Sequence, residues 1–233
     1  MVALVTGASG GIGAGIVKLL YGRGYSIYML GHEPHDDELK KMSGLTLIEC
    51  DLKDTAKVLE KLNSVKESLE GLDLLVNNAG AGYFGPHEEL SPKKIHELVT
   101  VNLELPMIVT NLFLRTLKKN KGRIINISSA CALSASPHGC AYSATKAGLT
   151  QFSESLFEEV RKCGVGVSVI HPEMTMTDFY RNADFTTSDD EETYLKVSDV
   201  VSAVGYVLDV PARMCIPQLT LIPQKHAIKR KNK

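Results

Sequence analysis

Two side chains four positions apart, Tyr142 and Lys146, could together move a proton. Residues at this spacing lie on one face of a helix, so an ammonium group would come close to a phenol hydroxyl. A nearby positive charge favours the phenolate, and we therefore expect the pKa of Tyr142 to fall from about 10 toward neutrality. Such a tyrosine can act as a general acid and base. Taken alone the pair is weak evidence, because most pairs of this kind decorate a helix surface.

A hydroxyl that could assist this tyrosine is Ser129, which follows an apolar run at 123–127. If that run is a strand in a parallel sheet, Ser129 lies at the carboxyl edge, where α/β proteins bind their ligands. Its hydroxyl could donate a hydrogen bond to the oxygen of a carbonyl group whose carbon accepts hydride. A serine that caps a helix or closes a turn is the alternative interpretation.

A glycine-rich turn, TGASGGIG at 6–13, joins the first apolar run to the first amphipathic stretch. Glycines permit a tight turn close to a pyrophosphate, and the following helix offers unpaired N–H groups to the anion. The same letters satisfy the GxSxG pattern of a hydrolase with Ser9 as nucleophile, but only one strand precedes Ser9, which favours the dinucleotide interpretation. The residues expected at the cofactor from this turn are Gly7, Ser9, Gly11, Ile12 and Gly13.

Short apolar runs alternate with amphipathic stretches along the chain, as in repeated βαβ units. Strands are predicted at 2–6, 25–30, 45–50, 72–77, 123–127, 165–170 and 219–222, and helices at 12–21, 56–69, 93–118, 142–163 and 197–208. Strands that are nearly all apolar indicate a parallel sheet covered on both faces. We predict an α/β, doubly wound parallel sheet, the Rossmann fold, with three layers (α/β/α) and about seven strands.

No linker or internal repeat divides the chain, so residues 1–224 are predicted to form a single domain. The polar segment 174–196 follows the sixth strand, where a flexible lid over a site would lie. Residues 225–233 are a basic tail, which we expect to be disordered.

The bulk composition excludes several classes of partner. With 26 basic and 27 acidic residues, the chain has no charge excess that would predict binding to nucleic acid. Its five cysteines lack the spacing of a metal site, so we expect reduced thiols and no metal. We also expect no export signal and no membrane helix, which predicts a cytoplasmic protein.

These motifs together resemble the short-chain dehydrogenase/reductase (SDR) family over nearly the whole chain. The glycine turn, the Asn-Asn-Ala-Gly run at 77–80, and Tyr142 with Lys146 occur in the family's order. Ser129 and Tyr142 are separated by 13 positions (142 − 129), which is the family's spacing. The resemblance implies an oxidoreductase that moves a hydride between nicotinamide and a small carbonyl or alcohol substrate.

The resemblance also implies roles for individual residues. Tyr142 would donate the proton, Lys146 would hold the nicotinamide ribose, and Ser129 would polarise the substrate oxygen. Asn102 would anchor a water molecule in a proton relay. Further cofactor contacts are implied for Asp51, Leu52, Asn78, Ala79, Gly80, Tyr142, Lys146, Pro172, Thr175 and Thr177. Two alternatives stay open: Asp51 as a helix N-cap, and the Asn-Asn-Ala-Gly run as a purely structural turn.

The chain departs from the family pattern at Glu173, where a glycine normally follows the proline. A carboxylate there would stabilise an oxidised nicotinamide if it points inward, and would be an ordinary exposed residue otherwise. Gly31 stands at the end of the second strand, where NAD-dependent members carry an acidic residue, and His32 follows it. This favours NADP as cofactor, with NAD possible.

Two hypotheses of different classes follow. The first is an active reductase or dehydrogenase, for which the resemblance implies assembly as a homodimer or homotetramer through the helices predicted at 93–118 and 142–163. The second is a non-catalytic regulator that senses NADP(H) with the same fold. The joint presence of Asn102, Ser129, Tyr142 and Lys146 favours the enzyme, because a sensor has no need of all four.

Overall fold

Seven parallel strands form the central sheet of the protein. The structure is a computed structural model that describes residues 1–231. The nine strands are β1 (Val2–Thr6), β2 (Ser26–Gly31), β3 (Leu45–Glu49), β4 (Leu72–Asn77), β5 (Arg123–Ile127), β6 (Gly166–Pro172), β7 (Phe185–Thr187), β8 (Gln218–Leu221) and β9 (Ile228–Arg230). The sheet order is β3-β2-β1-β4-β5-β6-β8, and β7 pairs with β9 separately. The order reverses between β1 and β4, which places a ligand crevice outside their carboxyl ends.

Seven helices cover the sheet: α1 (Gly11–Gly22), α2 (Asp37–Lys41), α3 (Thr55–Ser64), α4 (Pro92–Val99), α5 (Leu105–Asn120), α6 (Cys140–Val160) and α7 (Val197–Asp209). One apolar core forms where α1, α2 and α7 pack on the sheet, and a second forms under α3, α5 and α6. Both faces are therefore covered, and the predicted three-layer fold with seven strands is confirmed. The short helix α2 was not predicted, since its five residues are too few to show a period.

The helix predicted at 93–118 is interrupted. A π-helical turn at Thr100–Glu104 separates α4 from α5, and Pro106 follows it in the first turn of α5. Proline has no N–H to donate, so the regular hydrogen-bond ladder is broken next to it. The whole segment Pro92–Asn120 is long and apolar enough to cross a bilayer by length and composition, but half of its most apolar window is buried in the fold. This burial is typical of a core helix.

The structure describes residues 225–231 as paired with the preceding segment, which differs from the disorder expected from the sequence. Strand β9 pairs antiparallel with β7, with Phe185 opposite Arg230 and Thr187 opposite Ile228. The physical reason is charge complementarity, because Lys225 and Lys229 form ion pairs with acidic residues of the segment 189–192. The last two residues, 232–233, lie outside the described part of the chain.

Candidate active site

The glycine turn between β1 and α1 requires glycine at two positions. Gly7 has φ +64° and donates its N–H to the carbonyl of Leu30 at 2.9 Å. A Cβ atom on Gly13 would lie 2.2 Å from the carbonyl oxygen of Gly7 and 2.5 Å from Nδ2 of Asn78. Helix α1 can therefore approach β1 only because this position has no side chain.

Replacing Gly13 by alanine is expected to destabilise the fold by about 2 kcal/mol or more, because the new methyl group would collide with backbone. Thermal unfolding measures the effect. Gly22→Ala is the matched control, since nothing lies within 4 Å of a Cβ atom built there in the same helix. Equal melting temperatures for the two variants would contradict this account of the turn.

The start of α1 has the features of an anion-binding helix terminus. Its N-cap residue, Gly10, makes no side-chain capping bond, and the first turn contains no acidic residue. The unpaired N–H groups and the helix dipole both favour a phosphate. Gly31, at the end of β2, adds no side chain above the turn. A Cβ atom built on Gly31 would lie 3.8 Å from Cδ1 of Leu52. This cradle fits the pyrophosphate and adenosine portion of a dinucleotide.

The Asn-Asn-Ala-Gly run ties β4 to the glycine turn. Nδ2 of Asn78 donates to the carbonyl oxygens of Thr6 and Gly7 at 3.1 and 2.9 Å. The hydroxyl of Thr6 accepts the backbone N–H groups of Asn78 and Ala79. These bonds support the structural interpretation of the run, and they give Thr6 a role that the sequence did not reveal. Contact of 78–80 with a cofactor stays a prediction.

The alternative that Asp51 caps a helix is wrong, because the N-cap of α3 is Asp54, whose side chain accepts the N–H of Lys57. Asp51 instead accepts the N–H of Lys53 at 3.0 Å in the preceding turn. Its carboxylate is exposed at the edge of the crevice beyond β3. His32, which follows β2, is exposed as well.

Helix α6 brings Tyr142 and Lys146 to the carboxyl end of β5, beside Ser129. All three side chains are buried, with exposed fractions of 6%, 3% and 7%. The Nζ atom of Lys146 lies 5.9 Å from the centre of the Tyr142 ring and donates a hydrogen bond to the carbonyl of Ile127 at 2.9 Å. The three residues that the sequence singled out therefore share one buried site.

The expected fall in the pKa of Tyr142 is wrong for this arrangement. Burial raises the pKa of Tyr142 well above its ordinary value, the nearby Tyr180 raises it further, and a hydrogen bond with Ser129 offsets only part of the rise. Burial also lowers the pKa of Lys146 from 10.5 to about 8. Both shifts have one cause, since a low-dielectric site disfavours the charged form of either group. The tyrosine is thereby held as a neutral hydroxyl at neutral pH.

Asn102 lies in the π-helical turn and braces the site. Its side-chain oxygen accepts the N–H of Ala81 at 2.8 Å, and its Nδ2 donates to the Ala81 carbonyl and to the hydroxyl of Thr145. It thus joins the loop after β4 to α6 next to Tyr142. Gly80 faces the same space, since a Cβ atom there would lie 3.6 Å from Asn102 Oδ1 and 3.7 Å from Lys146 Nζ. The water-holding role of Asn102 stays a prediction.

Beneath Lys146 is a buried polar chain that the sequence did not indicate. The hydroxyls of Ser128 and Thr150 both donate to the Lys146 carbonyl, at 3.0 and 2.9 Å. Nε2 of His171 lies 3.1 Å from the Thr150 hydroxyl. Burial lowers the pKa of His171, which keeps its ring neutral beside the lysine. The chain fixes the backbone of α6 under the candidate site.

Tyr142 belongs to a cluster with four other aromatic rings: Phe84, Phe179, Tyr180 and Phe185. Phe84 and Phe179 lie 5.2 and 5.8 Å from Tyr142, centre to centre, and both contact Tyr180. This cluster was not predicted from the sequence. The sequence does hold one indication of the cluster, because Phe179 and Tyr180 are adjacent aromatic residues in an otherwise polar segment. Nothing in the sequence indicates that they lie opposite Phe84.

The segment 174–196 does lie over the crevice. A Cβ atom built on Gly11 would be 3.3 Å from the methyl group of Thr177, so Thr177 lies on the glycine turn. Thr175 is buried and its hydroxyl bonds to the Glu173 carbonyl, just beyond Pro172 at the end of β6. The segment carries β7 and two short 3-10 turns, Asp178–Asn182 and Glu191–Thr193. Its flexibility stays a prediction.

Glu173 does not point freely into solvent. Only 22% of its side chain is exposed, and its carboxylate pairs with His226 of the tail at 3.0 Å. The partner explains why a carboxylate can stand where the family has glycine. An influence of this carboxylate on a nicotinamide stays a prediction.

Residues 1–187 match the short chain dehydrogenase family. The chain belongs to this family. An uncharacterized oxidoreductase of Staphylococcus epidermidis is 28% identical over 226 residues, which cover 95% of this chain and 96% of that protein. The mitochondrial D-beta-hydroxybutyrate dehydrogenase of Mus musculus is 33% identical over 180 residues, which cover 72% of this chain and 52% of the mouse protein.

Solved structures of short-chain dehydrogenases share the architecture. An alcohol dehydrogenase from Thermococcus sibiricus, complexed with 5-hydroxy-NADP, superposes with a TM-score of 0.85 at 27% identity and covers 97% of this chain and 98% of that chain. This short-chain dehydrogenase is therefore an oxidoreductase. The hydrolase interpretation of Ser9 is not supported, and neither is the regulator. Within residues 1–231, no three His, Cys, Asp or Glu side chains group as metal ligands would.

Proposed function

We propose that the protein is an NADP(H)-dependent reductase or dehydrogenase that interconverts a small carbonyl compound and its alcohol. The observation that carries this proposal is the buried trio of Tyr142, Ser129 and Lys146 beside a glycine cradle for a dinucleotide. Support for the cofactor comes from matched structures complexed with NADP or its derivative. NAD remains the second choice.

A bound nicotinamide supplies the hydride in this chemistry. Tyr142 donates its hydroxyl proton to the carbonyl oxygen as that oxygen gains negative charge, and Ser129 donates a hydrogen bond to the same oxygen. The raised pKa of Tyr142 keeps the proton in place until the oxygen becomes basic. Lys146 can return a proton to the phenolate, because its pKa of about 8 lies near neutrality. In the reverse direction Tyr142 first passes its own proton to neutral Lys146, and the resulting phenolate then takes the proton of the alcohol.

The rings around Tyr142 favour a substrate whose carbonyl carries an apolar, preferably aromatic, group. Phe84, Phe179, Tyr180 and Phe185 offer faces and edges rather than charges. Apolar substrates gain free energy by contact with such walls. A screen of aromatic and aliphatic aldehydes and ketones, read by loss of NADPH absorbance, tests both activity and class. Binding of NADPH without turnover of any carbonyl would instead favour the regulator.

NADPH is expected to give a higher kcat/KM than NADH. Gly31 presents no carboxylate that would repel a 2′-phosphate, and its φ of +146° disfavours any other residue there. Steady-state kinetics with both cofactors measure the preference. A tenfold preference for NADH, which is about 1.4 kcal/mol, would reverse the proposal for the cofactor.

We further propose a cytoplasmic enzyme that forms a homodimer or homotetramer through the outer faces of α5 and α6. Assembly is supported by the closed symmetric oligomers that are common in this family. The cytoplasmic location is supported by the reduced thiols that the sequence predicts. Light scattering of the purified chain distinguishes a monomer from either assembly. No role of nucleic acid or membrane enters this proposal.

A further inference from the structure

The segment between β6 and α7, which we call the lid (174–196), lies directly on the floor of the crevice. The ring of Phe179 covers Gly82, where a Cβ atom would come within 2.6 Å of its Cε1 atom, and the same ring lies 3.6 Å from a Cβ atom built on Gly80. Phe179 thus fills space next to Lys146 and Tyr142. A molecule that approaches those two side chains from the side of the lid meets this ring.

The tail, residues 225–231, contacts the lid in three ways: by strand pairing, by hydrogen bonds of Lys231 and by an ion pair of Lys229. Backbone pairing of β7 with β9 is extended by the N–H of Lys231, which donates to the Asp184 carbonyl at 2.7 Å. The Nζ atom of Lys231 donates to the carbonyls of Tyr180 and Arg181, at 2.7 and 3.2 Å, in the turn that carries Phe179. Lys229 binds both carboxylate oxygens of Asp189.

The other end of the tail is fixed to the body of the molecule. Its neighbour β8 lies in the central sheet, and His226 pairs with Glu173 at the end of β6. Lys225 adds two contacts with the lid itself, since its N–H donates to the Glu192 carbonyl at 2.8 Å and its ammonium to Asp190 at 3.3 Å. The lid therefore cannot rise without carrying β9 along or releasing it from β7.

We propose that the basic tail is an autoinhibitory clasp, which holds Phe179 in the active-site pocket and must yield before NADPH and substrate can bind. The clasp rests on the proposed function only for the identity of the cofactor. Only the open form binds NADPH in this scheme. The apparent affinity for NADPH therefore equals the intrinsic affinity multiplied by the fraction of molecules in the open form. Any change that weakens the clasp raises that fraction and tightens binding. Lys229 and Lys231 are positioning residues in this scheme.

Removal of the tail tests the clasp most simply. A chain that ends at Gln224 is expected to bind NADPH three- to tenfold more tightly, and faster, than the matched control that ends at Lys231. Amide hydrogen exchange in β7 is expected to rise in the same chain, because its pairing strand is gone. Equal NADPH affinity and equal exchange in the two chains would overturn the clasp.

A charge exchange tests the clasp without shortening the chain. Lys229→Asp should tighten NADPH binding by roughly twofold, the range of an exposed ion pair, and adding Asp189→Lys should restore the original affinity. General damage to the fold by Lys229→Asp would not be reversed by adding Asp189→Lys, so recovery of the original NADPH affinity would be specific to this ion pair. An unchanged affinity in Lys229→Asp, or no return in the double variant, would count against the clasp.

Phe179→Ala links the clasp to the pocket. This variant is expected to bind NADPH more tightly, and removal of the tail from it should add little, because both changes act on the same closed form. Fully additive effects would separate the tail from Phe179 and contradict the proposal. A chain that binds neither NADPH nor NADH in any variant would refute the proposed function, whereas exchange in β7 would still report on the clasp.

Discussion

Tyr142→Phe is expected to lower kcat by about 10³-fold or more while NADPH binding and the fold are retained. The variant removes one hydroxyl and keeps the ring, so the contacts with Phe84 and Phe179 persist. Without the hydroxyl, no proton reaches the carbonyl oxygen as hydride arrives, and general acid catalysis of this kind contributes about 10²–10⁴-fold. Single-turnover kinetics with saturating NADPH measure the loss.

Tyr180→Phe is the matched control for this prediction. Tyr180 is a second tyrosine in the same aromatic cluster, and burial raises the pKa of its hydroxyl too. The ammonium of Lys146 lies over the ring of Tyr142 rather than that of Tyr180, so replacement of Tyr180 should change kcat only severalfold. If both variants lost activity equally, the aromatic pocket rather than the Tyr142 proton would be the essential feature.

Lys146→Met is expected to lose activity and gain stability at the same time. The lysine is 3% exposed, and its ammonium has one hydrogen bond, to the Ile127 carbonyl, within residues 1–231. Burial of an ammonium with so little compensation is costly, whereas methionine has similar volume and no charge. We expect kcat to fall by about 10²-fold or more and the free energy of unfolding at pH 7 to rise by about 1–3 kcal/mol.

The pH dependence of stability gives the same prediction a second readout. The pKa of Lys146 is about 8 in the folded protein, against 10.5 for a lysine in water. Between these values the unfolded chain binds more protons, so the free energy of unfolding should rise with pH, by about 3 kcal/mol in total. Below pH 8 the cost of the buried ammonium is fully present.

Denaturant unfolding from about pH 7 to pH 10.5 checks this rise, which Lys146→Met should abolish. Lys57→Met, which alters an exposed lysine of α3, should leave the rise intact. Loss of stability in Lys146→Met at neutral pH, with the pH dependence unchanged, would mean that the ammonium supports the fold rather than strains it.

The sequence was sufficient for the sheet and for the reactive trio. Buried parallel strands are marked by local apolar runs, and the spacing of Tyr142 and Lys146 fixes their common helix face whatever packs around them. The break before Pro106 shows the limit of periodicity, because buried apolar residues continue from Val101 in the π-helical turn to Leu105 and Val109 in α5.

The remaining features depend on contacts between distant segments. Strand β9 pairs with β7, which lies more than forty residues earlier in the chain. Glu173 likewise pairs with His226, which is 53 positions away. The pKa of Tyr142 depends on how completely Phe84 and Phe179 exclude water. Spacing along the chain specifies neighbours but not burial, so the sign of that shift could not be predicted.

Transfer of deuterium from NADPH that carries deuterium at both hydrogen positions of the reactive nicotinamide carbon tests the central claim most directly. The enzyme is incubated with an aromatic aldehyde or ketone, and the alcohol is analysed by mass spectrometry, with Tyr142→Phe in parallel. We expect one deuterium on the former carbonyl carbon of the alcohol and almost no product from Tyr142→Phe. An alcohol without deuterium, or equal product from both proteins, would contradict it.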